Sequence, residues 1–176
     1  PSSRNVLDRW IVARLQETIR DMTDGLERYD VVRSGRLIPE FVNDLSTWYL
    51  RRSRERFKSD KKRDREAVLS TMSYVLGTFS KLLAPFMPFL AEHVYQEVTG
   101  YGLRVTGDAQ SVHLEEWPKF KKAKIDATLL EEMRTARKVV EMTHAARAEA
   151  KMKVRQPLQE LKIENVKCKM SEELLK

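Results

Sequence analysis

The sequence predicts an all-α helical bundle of about five helices, followed by a short C-terminal tail. Three observations support this fold class. Apolar residues recur at helical spacing over long stretches of the 176 residues. Only six glycines and six prolines are present, so few loops are expected. The predicted helices are amphipathic, and several such helices joined by short loops pack as an antiparallel bundle.

The first two predicted helices span residues 4–28 and 31–57. Ser2 or Ser3 is expected to cap the first helix, because a serine side chain can accept a bond from a free N–H of the first turn. Pro39 is expected to kink or break the second helix near its start. The apolar stripes are Leu7, Ile11, Leu15, Ile19, Met22 and Leu26 in the first helix, and Ile38, Phe41, Val42, Leu45, Trp48 and Tyr49 in the second.

The remaining predicted elements are helices over residues 64–84, 89–99 and 126–151, with a loop over residues 100–124. Pro85 and Pro88 end the third helix, because proline cannot continue the helical bonding. Gly100 ends the fourth. Within the loop, residues 111–114 are expected to be extended.

The chain is predicted to divide into a bundle over residues 1–152 and a C-terminal part over residues 153–176. Leu158, Leu161 and Ile163 make that tail compatible with the start of a strand, or of a further subdomain that is truncated here. The chain stops without a closing motif, which suggests a piece of a longer protein.

No catalytic or metal-binding residues are predicted. The six glycines form no phosphate-binding loop, and no Cys-x-x-Cys or His-Glu-x-x-His motif occurs. His93, His113 and His144 are too scattered to share a metal ion. A stand-alone enzyme is therefore the least favoured interpretation. Cys168 is the single cysteine, which suits a reducing, cytoplasmic location, and no signal peptide or apolar membrane span is visible.

The net charge of +7 is concentrated in one short stretch. Nine basic residues lie between positions 51 and 65 against Glu55, Asp60 and Asp64, so the local excess is nine minus three, or +6. Such a concentration is typical of a surface that binds a nucleic acid backbone. The alternative is a helical protein-interaction module whose charge only keeps it in solution.

A helical wheel divides this stretch into two sides. Arg52 and Arg56 lie on the apolar side, so they are expected to pair with a neighbouring helix or to lie where the helix extends beyond the bundle. The outward side is expected to contact phosphates. With the cations of a second cluster after the fifth helix, the predicted RNA-binding residues are Arg51, Arg54, Lys58, Lys61, Lys62, Arg63, Lys151, Lys153 and Arg155. For a third cluster, Lys119, Lys121, Lys122 and Lys124, simple solubilising charge is an equally good interpretation.

Five segments in order resemble one protein family. Residues 44–57, Asp-Leu-Ser-Thr-Trp-Tyr-Leu-Arg-Arg-Ser-Arg-Glu-Arg-Phe, look like the isoleucyl version of a segment of the class I aminoacyl-tRNA synthetases for branched aliphatic amino acids. The other segments are Leu7-Asp8-Arg9-Trp10-Ile11, residues 84–92, Ser111-Val112-His113-Leu114 with Trp117-Pro118, and residues 153–158. The last resembles the eukaryote-like branch of the isoleucyl enzymes. The valyl and leucyl enzymes are the alternatives within the family.

The resemblance implies that this chain is a C-terminal, anticodon-binding helical domain whose partner is isoleucine tRNA. Its other partners would be the catalytic and editing domains of the same parent chain, which have no counterpart among these residues. The parent would be an ATP- and magnesium-dependent ligase, and this part would need no cofactor. The cysteine-ligated zinc of other isoleucyl enzymes cannot form with one cysteine.

Overall fold

The computed structural model describes residues 4–100 and 111–160, and it confirms the all-α prediction. The helices are α1 (Val6–Glu27), α2 (Val31–Asn43), a π-helical segment (Asp44–Leu50), α3 (Arg51–Phe57), α4 (Lys62–Leu83), α5 (Pro88–Thr99) and α6 (Ala127–Glu149). Because α2, the π-helical segment and α3 follow one another without a break, they form a single helical stretch. The described residues therefore contain the five predicted helical stretches and no strand.

The chain divides into two compact units, Pro1–Asp126 and Ala127–Lys176. The boundary between these units lies before α6, whereas the sequence predicts the bundle and its tail to divide after residue 152. In the second unit, α6 has its buried residues in its first two turns. The predicted strand falls mostly outside the described residues, and residues 157–160 are not in a strand.

The N-terminus of α1 is capped by Asn5, whose side-chain oxygen accepts a bond of 2.9 Å from the Leu7 N–H. The predicted caps, Ser2 and Ser3, lie outside the described residues. α2 runs through Pro39 without the expected break. Proline removes one hydrogen bond of the helix and its ring clashes with the carbonyl four residues before it, but the buried Ile38 and Phe41 hold the helix against the core.

α1 is the central helix of the first unit and is buried over more than the predicted stripe. Trp10, Ala13 and Gln16 lie outside that stripe, yet each is at most 1% exposed. α1 packs against α2 and α4, and the short 3-10 turn at Lys122–Lys124 also lies against it. A helix that is covered on several sides cannot be recognised from one apolar face alone.

The π-helical segment changes which residues face the core. Phe41, Leu45, Tyr49 and Ser53 are buried in steps of four residues. In a regular α-helix each step of four rotates by about 40° too far, at about 100° per residue. The wider i→i+5 turn of a π-helix offsets that drift and keeps the four residues on one face. Val42, predicted to face the core, is 44% exposed instead.

Glu92 of α5 fixes the start of the segment that follows residue 110. Its carboxylate accepts bonds of 2.9 Å from the Ser111 hydroxyl and from the Val112 N–H. Burial alone would raise the pKa of Glu92, but these bonds and one from Gln96 lower it below its usual value. Val112–Leu114 forms a 3-10 turn, so the expectation of an extended segment was wrong. The Ser111 hydroxyl also accepts a bond of 3.2 Å from the His113 N–H, and such a local side-chain bond favours a turn over a strand.

Candidate nucleic-acid interface

The predicted basic surface forms a corner of the first unit, where α3 ends at Phe57 and α4 begins at Lys62. We call residues 51–65 the basic corner. Its predicted RNA-binding residues, Arg51, Arg54, Lys58, Lys61, Lys62 and Arg63, are all exposed. Within the described residues, only Lys62 of these six has an ion pair, a long one of 3.9 Å to Glu66. The other five of these six residues therefore have no ion pair to a described carboxylate.

Arg56 is the basic residue of the corner that the protein uses internally. Its guanidinium donates to both oxygens of Asp8, from Nη1 to Oδ1 at 2.7 Å and from Nη2 to Oδ2 at 2.9 Å. Its Nε donates to Asp64 Oδ1 at 2.9 Å. One arginine thus joins α3 to the first turn of α1 and to the first turn of α4. This confirms the expectation that Arg56 pairs with a neighbouring helix.

Tyr49 completes this buried network, because its hydroxyl donates to Asp8 Oδ1 at 2.8 Å. Burial, together with the bond to Asp8, raises the pKa of the Tyr49 phenol well above its usual value. The bond to Asp8 also raises the pKa of the Arg56 guanidinium. Both groups therefore stay protonated and keep their donors on the carboxylate. Tyr49 is 0% exposed, so it packs in the core and offers no face to an RNA base.

Arg52 differs from the expectation of an ion pair to a neighbouring helix. It is exposed, and no ion pair of its side chain occurs within residues 4–100 and 111–160. The preceding π-helical segment rotates α3 relative to a regular helix, so that Ser53 takes the buried position next to Tyr49. Arg52 therefore joins the exposed cations of the basic corner that have no ion pair within the described residues.

The structure also brings the start of α1 to the basic corner. Because Asp8 binds Arg56, the neighbouring Arg4 and Arg9 lie at the same end of the unit. Arg4 is exposed, and Arg9 is 45% exposed and forms an ion pair of 3.1 Å with Asp126. Charge counting along the chain misses these residues because they lie more than 40 positions before the basic stretch.

A second arginine that is mostly covered, Arg14, binds the first residue of the Asp44-Leu45-Ser46 segment. Arg14 of α1 donates from Nε to Asp44 Oδ2 at 2.8 Å, and its Nη1 donates to Glu17 at 3.1 Å. The side chains of Arg14 and Asp44 are only 12% and 4% exposed. α1 is therefore tied to the helical stretch of residues 31–57 at two points, Asp44 and Arg56.

The lysines of residues 119–124 are partly used inside the unit. Lys124 Nζ lies 4.4 Å from the centre of the Tyr74 ring and 3.2 Å from its hydroxyl. The Lys121 N–H donates to the buried Gln16 side chain at 2.8 Å, and Lys119 pairs with Glu116 at 3.3 Å. The contacts of Lys124 and of the Lys121 backbone attach the segment to α4 and α1, which favours a structural role for Lys124, whereas the Lys119–Glu116 pair is exposed.

A cavity of about 290 Å³ lies beside His113 and between Lys81, Pro85 and Trp117. Its charged groups are satisfied, because Glu115 accepts bonds from Lys81 and from the Tyr95 hydroxyl. The bond from Lys81 also lowers the pKa of Glu115 below its usual value. Across residues 4–100 and 111–160, no group of three potential metal ligands occurs. Nor does any described helix have the length and apolar character of a membrane span.

Comparison with known proteins gives one consistent result. Residues 8–163 match the family model described as the anticodon-binding domain of tRNA ligase. The isoleucine–tRNA ligase of Cutibacterium acnes is 44% identical over 160 residues, which cover 89% of this chain and 14% of that protein. Those of Dehalococcoides mccartyi and Thermus thermophilus are 45% and 43% identical, and cover 89% and 90% of this chain and 15% of each relative. The chain thus spans only about 14–15% of the length of these relatives.

Proposed function

Because this chain belongs to the family of anticodon-binding domains of tRNA ligases, we propose that it binds the anticodon stem-loop of isoleucine tRNA. The choice of isoleucine over valine or leucine rests on its relatives, which are isoleucine–tRNA ligases. The longer protein would carry the catalytic and editing domains, would use ATP and magnesium, and would act in the cytoplasm. This part would hold the tRNA while its acceptor end reaches that chemistry.

The basic corner carries the proposal. Arg51, Arg54, Lys58, Lys61 and Arg63 are exposed cations, and none has an ion pair within the described residues. Cations of one sign that are concentrated on one surface attract the phosphate backbone and release its counterions. Arginine and lysine side chains on phosphates fix the register and orientation of an RNA without reading its sequence.

The buried network beneath the corner makes these cations a defined surface. Arg56 holds α3 against Asp8 of α1 and Asp64 of α4, so one side chain joins both helices of the corner to each other and to α1. A rigid scaffold lowers the conformational entropy that is lost when side chains settle on a ligand. Reading of the anticodon itself would use unstacked loop bases against aromatic or arginine planes.

The test is a titration of the 176-residue chain with an isoleucine tRNA transcript at two salt concentrations. Replacing Arg54 and Lys58 together by glutamine should weaken binding and reduce the slope of log K against log salt by about 0.7–0.9 per lost contact. In the matched control, Arg33 and Arg36 of α2 are replaced by glutamine. These two arginines are also exposed and have no ion pair within the described residues.

Equal effects of the two double substitutions would contradict the assignment of the basic corner, because both remove the same charge. Binding that depends on neither salt nor these residues, together with retention of an acidic protein, would favour the alternative of a protein-interaction module.

A further inference from the structure

Arg147, near the end of α6 in the second unit, binds the backbone of the chain that follows it. The two N–H groups of its Nη1 donate to three carbonyl oxygens, one of them shared, those of Lys153 at 3.1 Å, Val154 at 3.2 Å and Gln156 at 2.8 Å. One half-buried side chain thus holds four successive residues, 153–156, against the helix end. Arg134 of the same helix binds a side chain instead of backbone, because it forms an ion pair with Glu131, one turn away.

The backbone between the helix and this segment turns back sharply. The Met152 N–H donates to the Arg147 carbonyl at 2.8 Å, and the Lys151 N–H to the Ala148 carbonyl at 3.0 Å. Lys151 has a φ of 52°, which is the left-handed conformation. A residue in this conformation often ends a helix, and it is usually glycine. Lysine is less stable than glycine in this conformation, because its Cβ makes a positive φ unfavourable.

The folded segment carries three of the predicted RNA-binding residues on its outside. Lys151, Lys153 and Arg155 are exposed, and none of them has an ion pair within the described residues. The end of a helix carries partial negative charge, and free carbonyl oxygens add to it. Arg147 places its positive charge on the carbonyl oxygens of Lys153, Val154 and Gln156. Three partly negative groups that would repel a phosphate are thereby neutralised.

We propose that Arg147 is a positioning residue that folds residues 151–156 into a second phosphate-binding element. Lys151, Lys153 and Arg155 are its contacts, and the ligand is the sugar-phosphate backbone of RNA. The inference rests on the proposed function and deepens it, because it assigns a role to a residue that itself need not touch the RNA. Ordering the segment beforehand reduces the entropy lost on binding.

The test compares Arg147→Gln with Arg134→Gln, which removes the same charge from the same helix. With an isoleucine tRNA transcript, Arg147→Gln should reduce the salt slope by about 1.5, the equivalent of two contacts, and Arg134→Gln by less than half of that. In the free chain, Arg147→Gln should also speed hydrogen exchange at the Gln156 N–H, which donates to the Lys153 carbonyl at 3.0 Å.

Lys151→Gly separates charge from conformation. Glycine suits the left-handed turn, so exchange at Gln156 should stay slow, while the salt slope falls by about 0.7–0.9, one contact. The inference is overturned if Arg147→Gln and Arg134→Gln change the salt slope equally, or if Arg147→Gln leaves exchange at Gln156 unchanged. Arg54 and Lys58 lie in the other unit and test the proposed function separately. If replacing them by glutamine did not weaken tRNA binding, the basic corner would be contradicted, whatever the result for Arg147.

Discussion

Asp8 and Arg56 are joined by two parallel hydrogen bonds of 2.7 and 2.9 Å, although 48 positions separate them in the sequence. The Asp8 side chain is 2% exposed and the Arg56 side chain 13%. This pair connects the first turn of α1 to the helix that carries the basic corner. Arg56, within the basic corner, therefore stabilises the fold, and the exposed arginines beside it are left for the ligand.

Asp8→Ala should destabilise the chain strongly. The substitution leaves the Arg56 guanidinium without its main partner in a nearly buried position, and breaking such a pair costs about 3–5 kcal/mol. Urea denaturation followed by circular dichroism measures the change. The control is Asp24→Ala, which breaks an ion pair of 2.8 Å whose side chains are 42% and 70% exposed. That control should cost at most about 1 kcal/mol, and equal losses would show that the Asp8–Arg56 pair contributes little.

Tyr49 should make the fold sensitive to alkali. Because folding raises the pKa of its phenol, its contribution to stability is complete below pH about 10 and is lost as the pH rises above that value. Above that pH, the free energy of unfolding should fall by up to about 1.4 kcal/mol per pH unit because of this one group. Tyr49→Phe should be less stable at neutral pH but should lack this part of the alkaline loss. Parallel stability curves for the two proteins between pH 9 and 11 would contradict the prediction.

Ser53→Ala should leave the free energy of unfolding unchanged or raise it by up to about 1 kcal/mol. The Ser53 hydroxyl is fully buried and has no hydrogen-bond partner within the described residues. Alanine removes that unsatisfied group and also has the higher helix propensity. Thermal unfolding checks the change, with Thr71→Val as the contrast, because the Thr71 hydroxyl donates to the Ala67 carbonyl at 2.9 Å. A clear loss of stability in Ser53→Ala would mean that the hydroxyl has a partner.

Glu92 should control the turn at Val112–Leu114 in acid. Its pKa is lowered in the folded chain, so its contribution to stability is present above pH about 4.3 and is lost as the pH falls through the lowered value. The amide resonance of Val112, which donates to Glu92 at 2.9 Å, should shift with one inflection below pH about 4.3. Glu92→Gln should abolish that inflection. If the inflection persists in the variant, another carboxylate controls the turn.

Much of the fold could be predicted because helices depend on local spacing. The apolar repeats, Pro85 and Gly100 located the helices to within a few residues, and the charge of residues 51–65 located the candidate surface. The position of Arg52 was predicted wrongly because the rotation per residue changes before α3. A helical wheel has a constant rotation per residue, but the π-helical segment changes that rotation, so Ser53 is buried and Arg52 is exposed instead of facing the core.

The sequence by itself determined an all-α chain with a concentrated positive charge and the segments of an anticodon-binding family, since these properties belong to residues close together in the chain. Only the tertiary structure decided which cations remain free. Arg56 is bound by Asp8, Arg147 binds the backbone after α6, and Arg54 has no ion pair within the described residues. Whether an arginine is available to RNA depends on which carboxylates and carbonyls the fold brings to it, and those partners cannot be counted along the sequence.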